Sequence, residues 1–219
     1  VKTLDLSYVS DNWSDIMQRA WQHAVLAGLP LLLGLAIALP LGWWARRSAR
    51  LRPILIGGAG LLYTIPSLAL FIVMPVILGT KILSPWNVIV AMTLYTLALL
   101  VRTVVDGLSA VPNDVEQAAT AMGYTPVRRF FGVDLPLAVP VIAGGLRVAA
   151  VSNVSIVSVA SLLGVSQLGY YITNGYQRSY SIEVWVGIVG CLVLALLFDL
   201  VIQLVSRALT PWLRVRGAS

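Results

Sequence analysis

The chain has 219 residues, 58% of them hydrophobic and only 11% charged, where an ordinary soluble domain carries about 25% charged residues. A formal charge of +6 would suit a nucleic-acid binder, but the arginines cluster between long apolar runs, so no nucleic acid is expected. The single cysteine, Cys191, excludes an internal disulfide, and the length suits one membrane domain over residues 1–219.

In chain order, residues 1–21 carry Asp5, Asp11 and Asp15 before the first apolar run and lack a basic leader, unlike a secretory signal. Trp13, Ile16, Met17, Ala20, Trp21 and Ala24 recur at helical spacing. They predict an interfacial helix on the outer face, capped by Asp11 or Ser14, that leads into the first span. Membrane-spanning helices are predicted over 22–44, 54–78, 86–107, 138–163 and 183–206. Each is long enough to satisfy its own backbone hydrogen bonds in lipid. Placing the N-terminus outside puts Arg46, Arg47, Arg50, Arg52, Arg102, Arg128, Arg129, Arg147, Arg207, Arg214 and Arg216 on the inner side. Only Lys2, Arg19, Lys81 and Arg178 remain outside, and eleven against four sets an N-out, C-in topology. The predicted fold is all-α and polytopic, with about five transmembrane helices in the lipid bilayer.

Several chemistries are excluded. The two lysines, Lys2 and Lys81, stand in no G-x-x-x-x-G-K-[ST] arrangement, so ATP is not expected to bind this chain through a P-loop. His23 is the sole histidine, which excludes an HExxH zinc site. An intramembrane serine protease would have to pair that histidine with Ser166 in the glycine-flanked run 164–169.

The connection 108–137 is the most informative segment. Asn113 is placed to cap a helix with Glu116 at N3, and Gly123 is placed to stop it in a left-handed conformation. Thr125 is placed to cap a second short helix with Pro126 at its first position, and Leu135-Pro136 to end the segment. Spacing alone leaves two readings open: a knob that fits a groove on another protein, or a hairpin that merely joins two spans.

Gln117-Ala118-Ala119, Gly123, Val133, Leu135 and Pro136 fall in the pattern E-A-A-x-x-x-G, nine residues, I-x-L-P, with Gln117 in place of the glutamate and Glu116 one position earlier. This segment resembles the EAA loop of permease subunits of bacterial ABC importers. The resemblance implies that Glu116, Gln117, Ala118, Ala119, Gly123, Arg128, Leu135 and Pro136 form a coupling helix and its surround, docked on a cytoplasmic ATPase. It also implies that ATP and Mg reside on that partner, that a second permease subunit (identical or homologous) completes the passage, and that an extracytoplasmic binding protein delivers the solute. The location implied is the bacterial cytoplasmic membrane. Gln22–Val25, the Leu39-Pro40-Leu41-Gly42 turn, Tyr63–Leu70 and Leu135–Arg147 are similar to permeases for osmoprotectants: glycine betaine, choline, carnitine and related quaternary amines. The family's I-G-A-G-G-L-G after the fourth span is replaced here by the run 163–169. The alternatives are an importer for methionine or another amino acid and, from a different class, a channel or scaffold that needs no ATPase.

Candidate pathway residues lie in two places. Pro66 breaks the hydrogen-bond ladder of span two, freeing carbonyls beside Tyr63, Thr64 and Ser67, as a pathway or as a plain kink. In span four, Ser152, Ser155, Ser158 and Ser161 recur every three residues as a slowly turning polar stripe beside Asn153, expected to face the pore or a subunit interface, or to act as interhelical glue. Arg147 is expected to anchor at the inner surface, and Asp199 to pair or snorkel there with Gln203 and Arg207. No aromatic cage for a quaternary amine is visible in the sequence; Trp43, Trp44, Trp86, Trp185 and Trp212 mark interfaces.

Overall fold

The computed structural model describes residues 7–213. Lys2, Asp5, Arg214 and Arg216 of the sequence argument lie outside the described residues. Among the described residues there is helix and no strand: α1 (Ser7–Asp11), α2 (Trp13–Arg47), α3 (Leu51–Thr64), α4 (Ser67–Leu78) and α5 (Pro85–Ser109), then α6 (Asn113–Ala121), α7 (Pro126–Arg129), α8 (Leu135–Val159), α9 (Gly169–Gln177) and α10 (Ser181–Leu209). Four continuous helical stretches, within 13–47, 85–109, 126–163 and 181–209, are long and apolar enough to cross a membrane, and the pair α3 and α4, bent by 101°, can make a fifth.

The contacts sort the helix ends into two faces. At one face Arg46 meets Glu116 and Asp134, and Arg52 lies 3.9 Å from Asp106. At the other, Arg19 reaches Ser166, Glu183 reaches Tyr8, and the turn at Gly164 lies against Leu83. The chain therefore crosses five times, and its first face is the arginine-rich one.

Three sequence expectations are corrected by backbone continuity. The outer segment is not a separate interfacial helix: α2 runs unbroken for 35 residues, roughly 52 Å of helix. That exceeds the ~30 Å hydrocarbon core, so Asp15 and Arg19 stand clear of lipid on the same rod as span one. Neither Asp11 nor Ser14 caps it; Asn12 holds the cap position, and its amide donates to Tyr8 O at 2.9 Å, joining α1 to α2. The 39–42 segment is helical rather than a turn, although Pro40 withholds its N–H. Third, Leu135-Pro136 ends nothing. A π-turn over Phe130–Asp134 bridges α7 and α8 into one rod. The widened turn lets the chain pass Pro136, which can neither donate nor tolerate a close preceding carbonyl.

Association of helices in lipid draws on close packing rather than on a hydrophobic driving force. The tightest pair is α2 with α5, and α2 presents small residues to it. Ala27, Gly34, Ala38, Gly42 and Ala45 are all buried. A Cβ added at Gly34 would lie 2.6 Å from Thr96 Cγ2, and one at Gly42 would lie 2.5 Å from Val104 Cγ1. Beneath this seam, Asn153 of α8 donates to Ala27 O at 3.1 Å and to Thr96 Oγ1 at 2.9 Å, tying three helices at one buried point. By contrast α10 leaves Leu192, Leu196, Leu200 and Leu204 exposed, an apolar surface suited to lipid.

Candidate functional site

The knob at the arginine-rich face forms much as its residues dictate. Helix α6 begins at Asn113 after Pro112, whose carbonyl accepts from Glu116 N at 3.3 Å. Gly123 takes a φ of +82°, and Tyr124 N reaches back to Ala119 O at 3.2 Å, closing the helix end. Thr125 caps α7 by accepting from Arg128 N at 3.4 Å, with Pro126 following it. The expectation for Asn113 is corrected: Pro112 holds the cap position and Asn113 is the first helical residue, without a side-chain cap.

Glu116 does not close a capping box either. Its carboxylate turns inward, to Arg46 at the end of α2 and to Arg129 Nη2 at 3.3 Å. Arg129 Nε lies 3.3 Å from the fully buried Asp134, which also meets Arg46 at 3.7 Å. Two arginines and two carboxylates thus lock the knob onto the ends of spans one and four. Phe130 supports this lock from below, buried against Trp43 with ring centroids 5.5 Å apart.

With Glu116 committed inward, Gln117 and Ala118 face outward, while Ala119 is buried under the helix. Leu135 and Pro136 are half-buried at the base, and Arg128 stands exposed over the Tyr124 ring at 4.7 Å. Around Gly123 the sequence reading missed an apolar cap. Met122 is 71% exposed, Val127 56% and Phe131 64%. The missed signal was the recurrence of large apolar residues at 122, 127 and 131 in a segment otherwise read for its small ones. Beside the cap, Asn113, Gln117, Thr120 and Arg129 line an open concavity of about 480 Å³.

The pathway candidates are less unified. The break at Ile65-Pro66 is far sharper than a kink, and the freed Ile65 carbonyl accepts from the Tyr95 hydroxyl of α5. Tyr63 is exposed and stacks edge-on against Tyr95 with centroids 5.6 Å apart; Thr64 donates to Leu61 O at 2.7 Å, and Ser67 is half-buried. In span four Ser152, Ser155 and Ser158 share one face of the helix, and Asn153 leaves it. Asn153 is buried at the three-helix junction, whereas Ser155 is exposed on the opposite side and Ser152 and Ser158 flank it. The reason is angular: two residues on a helix lie about 200° apart when separated by two positions. Arg147 is no surface anchor either. It forks onto Asp199, Nε to Oδ1 at 2.5 Å and Nη2 to Oδ2 at 3.0 Å.

Residues 18–215 match the family model for the inner membrane component of binding-protein-dependent transport systems. The chain belongs to this family. It is an ABC importer permease subunit, a multi-pass protein of the inner membrane. Among its relatives, the osmoprotectant import permease protein OsmW of Salmonella typhimurium is 32% identical over 94% of this chain and 97% of that protein. The choline transport system permease protein OpuBB of Bacillus subtilis is 29% identical over 94% of each. Among solved structures, the inward-facing MetNI methionine ABC transporter aligns with a TM-score of 0.79 at 22% identity, covering 91% of this permease and 98% of that chain. That likeness establishes the fold.

At the outer face, Glu183 is buried and gathers Tyr8 Oη at 3.1 Å, Asn174 Nδ2 at 2.5 Å and Arg178 Nη1 at 3.3 Å. Burial, reinforced by Glu183, pushes the Tyr8 hydroxyl up to about 12, so it remains a donor across the physiological range. Ser166 accepts from Arg19 at 3.1 Å, whereas His23 is buried with Nε2 3.0 Å from Val154 O. The serine and histidine of the protease alternative have separate partners.

Proposed function

We propose that this permease forms the passage for osmoprotectants of the quaternary-amine class. Glycine betaine, choline and carnitine are the solutes in the names of its near full-length relatives. In this reading a pair of cytoplasmic ATPases, which carry the ATP and Mg, grips the knob. A second permease subunit encloses the passage, and a separate binding protein delivers solute from outside. Glu116, Gln117, Ala118, Ala119, Gly123, Arg128, Leu135 and Pro136 build the coupling surface; Tyr63, Thr64, Pro66, Ser67, Ser152, Ser155 and Ser158 border the passage. Asn153 holds the bundle together beside it.

The observation that carries the docking role is the exposed cap of Met122, Val127 and Phe131. Large apolar side chains held outward on a braced, glycine-hinged knob suit a partner surface, since such residues anchor interfaces. Phe131→Glu is therefore expected to cut ATPase co-purification and ATP-driven uptake at least tenfold while the permease still inserts. Retained co-purification would place the ATPase elsewhere and favour the channel or scaffold alternative.

The solute class is tested in the purified complex with its cognate binding protein. Glycine betaine, choline or carnitine should stimulate ATP hydrolysis and compete with one another for uptake. Stimulation by methionine alone would replace this reading with the amino-acid one.

A further inference from the structure

Arg147 and Asp199 lie twelve residues beyond Leu135 and ten before Leu209, about 18 Å and 15 Å along their helices. Both charges thus lie within the membrane-length stretches of their helices, away from the inner ends. They neutralise one another through two forked contacts of 2.5 and 3.0 Å, and Gln203 Nε2 adds a third donor to Asp199 at 2.9 Å. Yet the pair is not enclosed. The Arg147 side chain is 42% exposed and that of Asp199 23%.

The two open onto one concavity of about 460 Å³, walled by Gly144, Val148, Val151 and Ser152. Ionised groups inside a span border water or protein rather than hydrocarbon, so this face of α8 is turned away from lipid. Gly144 contributes no bulk at the mouth, and nothing lies within 4 Å of where its Cβ would stand. Toward the outer face Ser152, Ser155 and Ser158 follow one another in steps of about 4.5 Å, with Ser155 exposed. A polar track therefore joins the ion pair to the outer half of the helix.

We propose that the Arg147–Asp199 pair is a solute subsite within the passage, matched to a zwitterionic quaternary amine. This inference rests on the osmoprotectant reading and sharpens it to the zwitterions of the class. Without solute, each charge satisfies the other. A zwitterion takes the place of both partners at once: its carboxylate lies on the Arg147 guanidinium and its ammonium beside Asp199. A plain cation such as choline engages Asp199 alone and leaves Arg147 without a carboxylate. The pair therefore passes betaine-like solutes in preference to cationic ones.

The test compares glycine betaine and choline uptake by the assembled transporter in proteoliposomes, with its ATPase and an unchanged binding protein. Any shift in the ratio of the two then arises in the permease. Arg147→Gln should lower betaine uptake about tenfold more than choline uptake. Asp199→Asn should do the reverse, because Arg147 is then left to repel the cation. The double variant leaves no unpaired charge to hinder assembly, and it should move the ratio about threefold toward choline. Equal loss of both solutes in the single variants, or an unchanged ratio in the double variant, would make the pair an interhelical strut and overturn the proposal. A wild-type complex that carries neither solute would overturn the osmoprotectant reading and this subsite together, and that result is visible before any variant is made.

Discussion

Arg129→Leu is expected to destabilise the permease by on the order of 3 kcal/mol and to abolish coupled transport. The substitution removes one of two cations from a cluster in which Asp134 is fully buried. What remains for Asp134 is Arg46 at 3.7 Å, already shared with Glu116. Stranding a buried carboxylate costs about 3–5 kcal/mol. The lower end applies because the Arg129 side chain is 20% exposed and partly screened by solvent. The loss should appear as a fall in the thermal midpoint of the detergent-solubilised complex and as ATP hydrolysis that no longer responds to solute. Arg102→Leu is the contrast. Its guanidinium is 73% exposed and 3.9 Å from Asp106, so a change within about 0.5 kcal/mol is expected. Similar destabilisation by both variants would show that the knob's ion pairs carry no special load.

Gly34→Leu should prevent the bundle from assembling. A Cβ at this position would sit 2.8 Å from Thr96 Cβ and 3.3 Å from the Leu97 backbone nitrogen. The backbone of α5 cannot swing aside as a flexible side chain would. Overpacking a well-filled core costs about 1–3 kcal/mol and occasionally more. The upper end is expected because Thr96 also partners Asn153 at 2.9 Å, so displacing it unties the three-helix junction. Protease sensitivity and loss of a monodisperse elution peak would report the effect. Ala36→Leu, on the exposed side of the same helix, should leave both unchanged.

How much of this architecture was legible depended on the range of the physics involved. Spans could be located because uncharged runs must meet lipid, and each predicted span lies within an observed helix or, for 54–78, within the bent pair, save that 138–163 runs four residues past α8 into a 3-10 turn. Gly123 and Thr125 could be placed because helix ends are decided by neighbours within four residues. The unread contacts between helices join residues distant in the chain. The Tyr95–Ile65 contact spans 30 positions and the Arg147–Asp199 pair spans 52. Glu116 read as the third residue of a capping box because Arg46 lies 70 positions away, and only folding sets the two side by side. Asn153 leaves the serine face by arithmetic that the sequence did contain, since adjacent Ser152 and Asn153 already point about 100° apart on a helix.

The bend between α3 and α4 constrains how the protein is made. The two halves hold 14 and 12 residues, about 21 Å and 18 Å, so neither reaches across the ~30 Å hydrocarbon layer unaided. The carbonyl left open at Ile65 is satisfied by a hydroxyl on α5, a helix that leaves the ribosome afterwards. The second crossing therefore gains its last hydrogen-bond partner only once the third has packed against it.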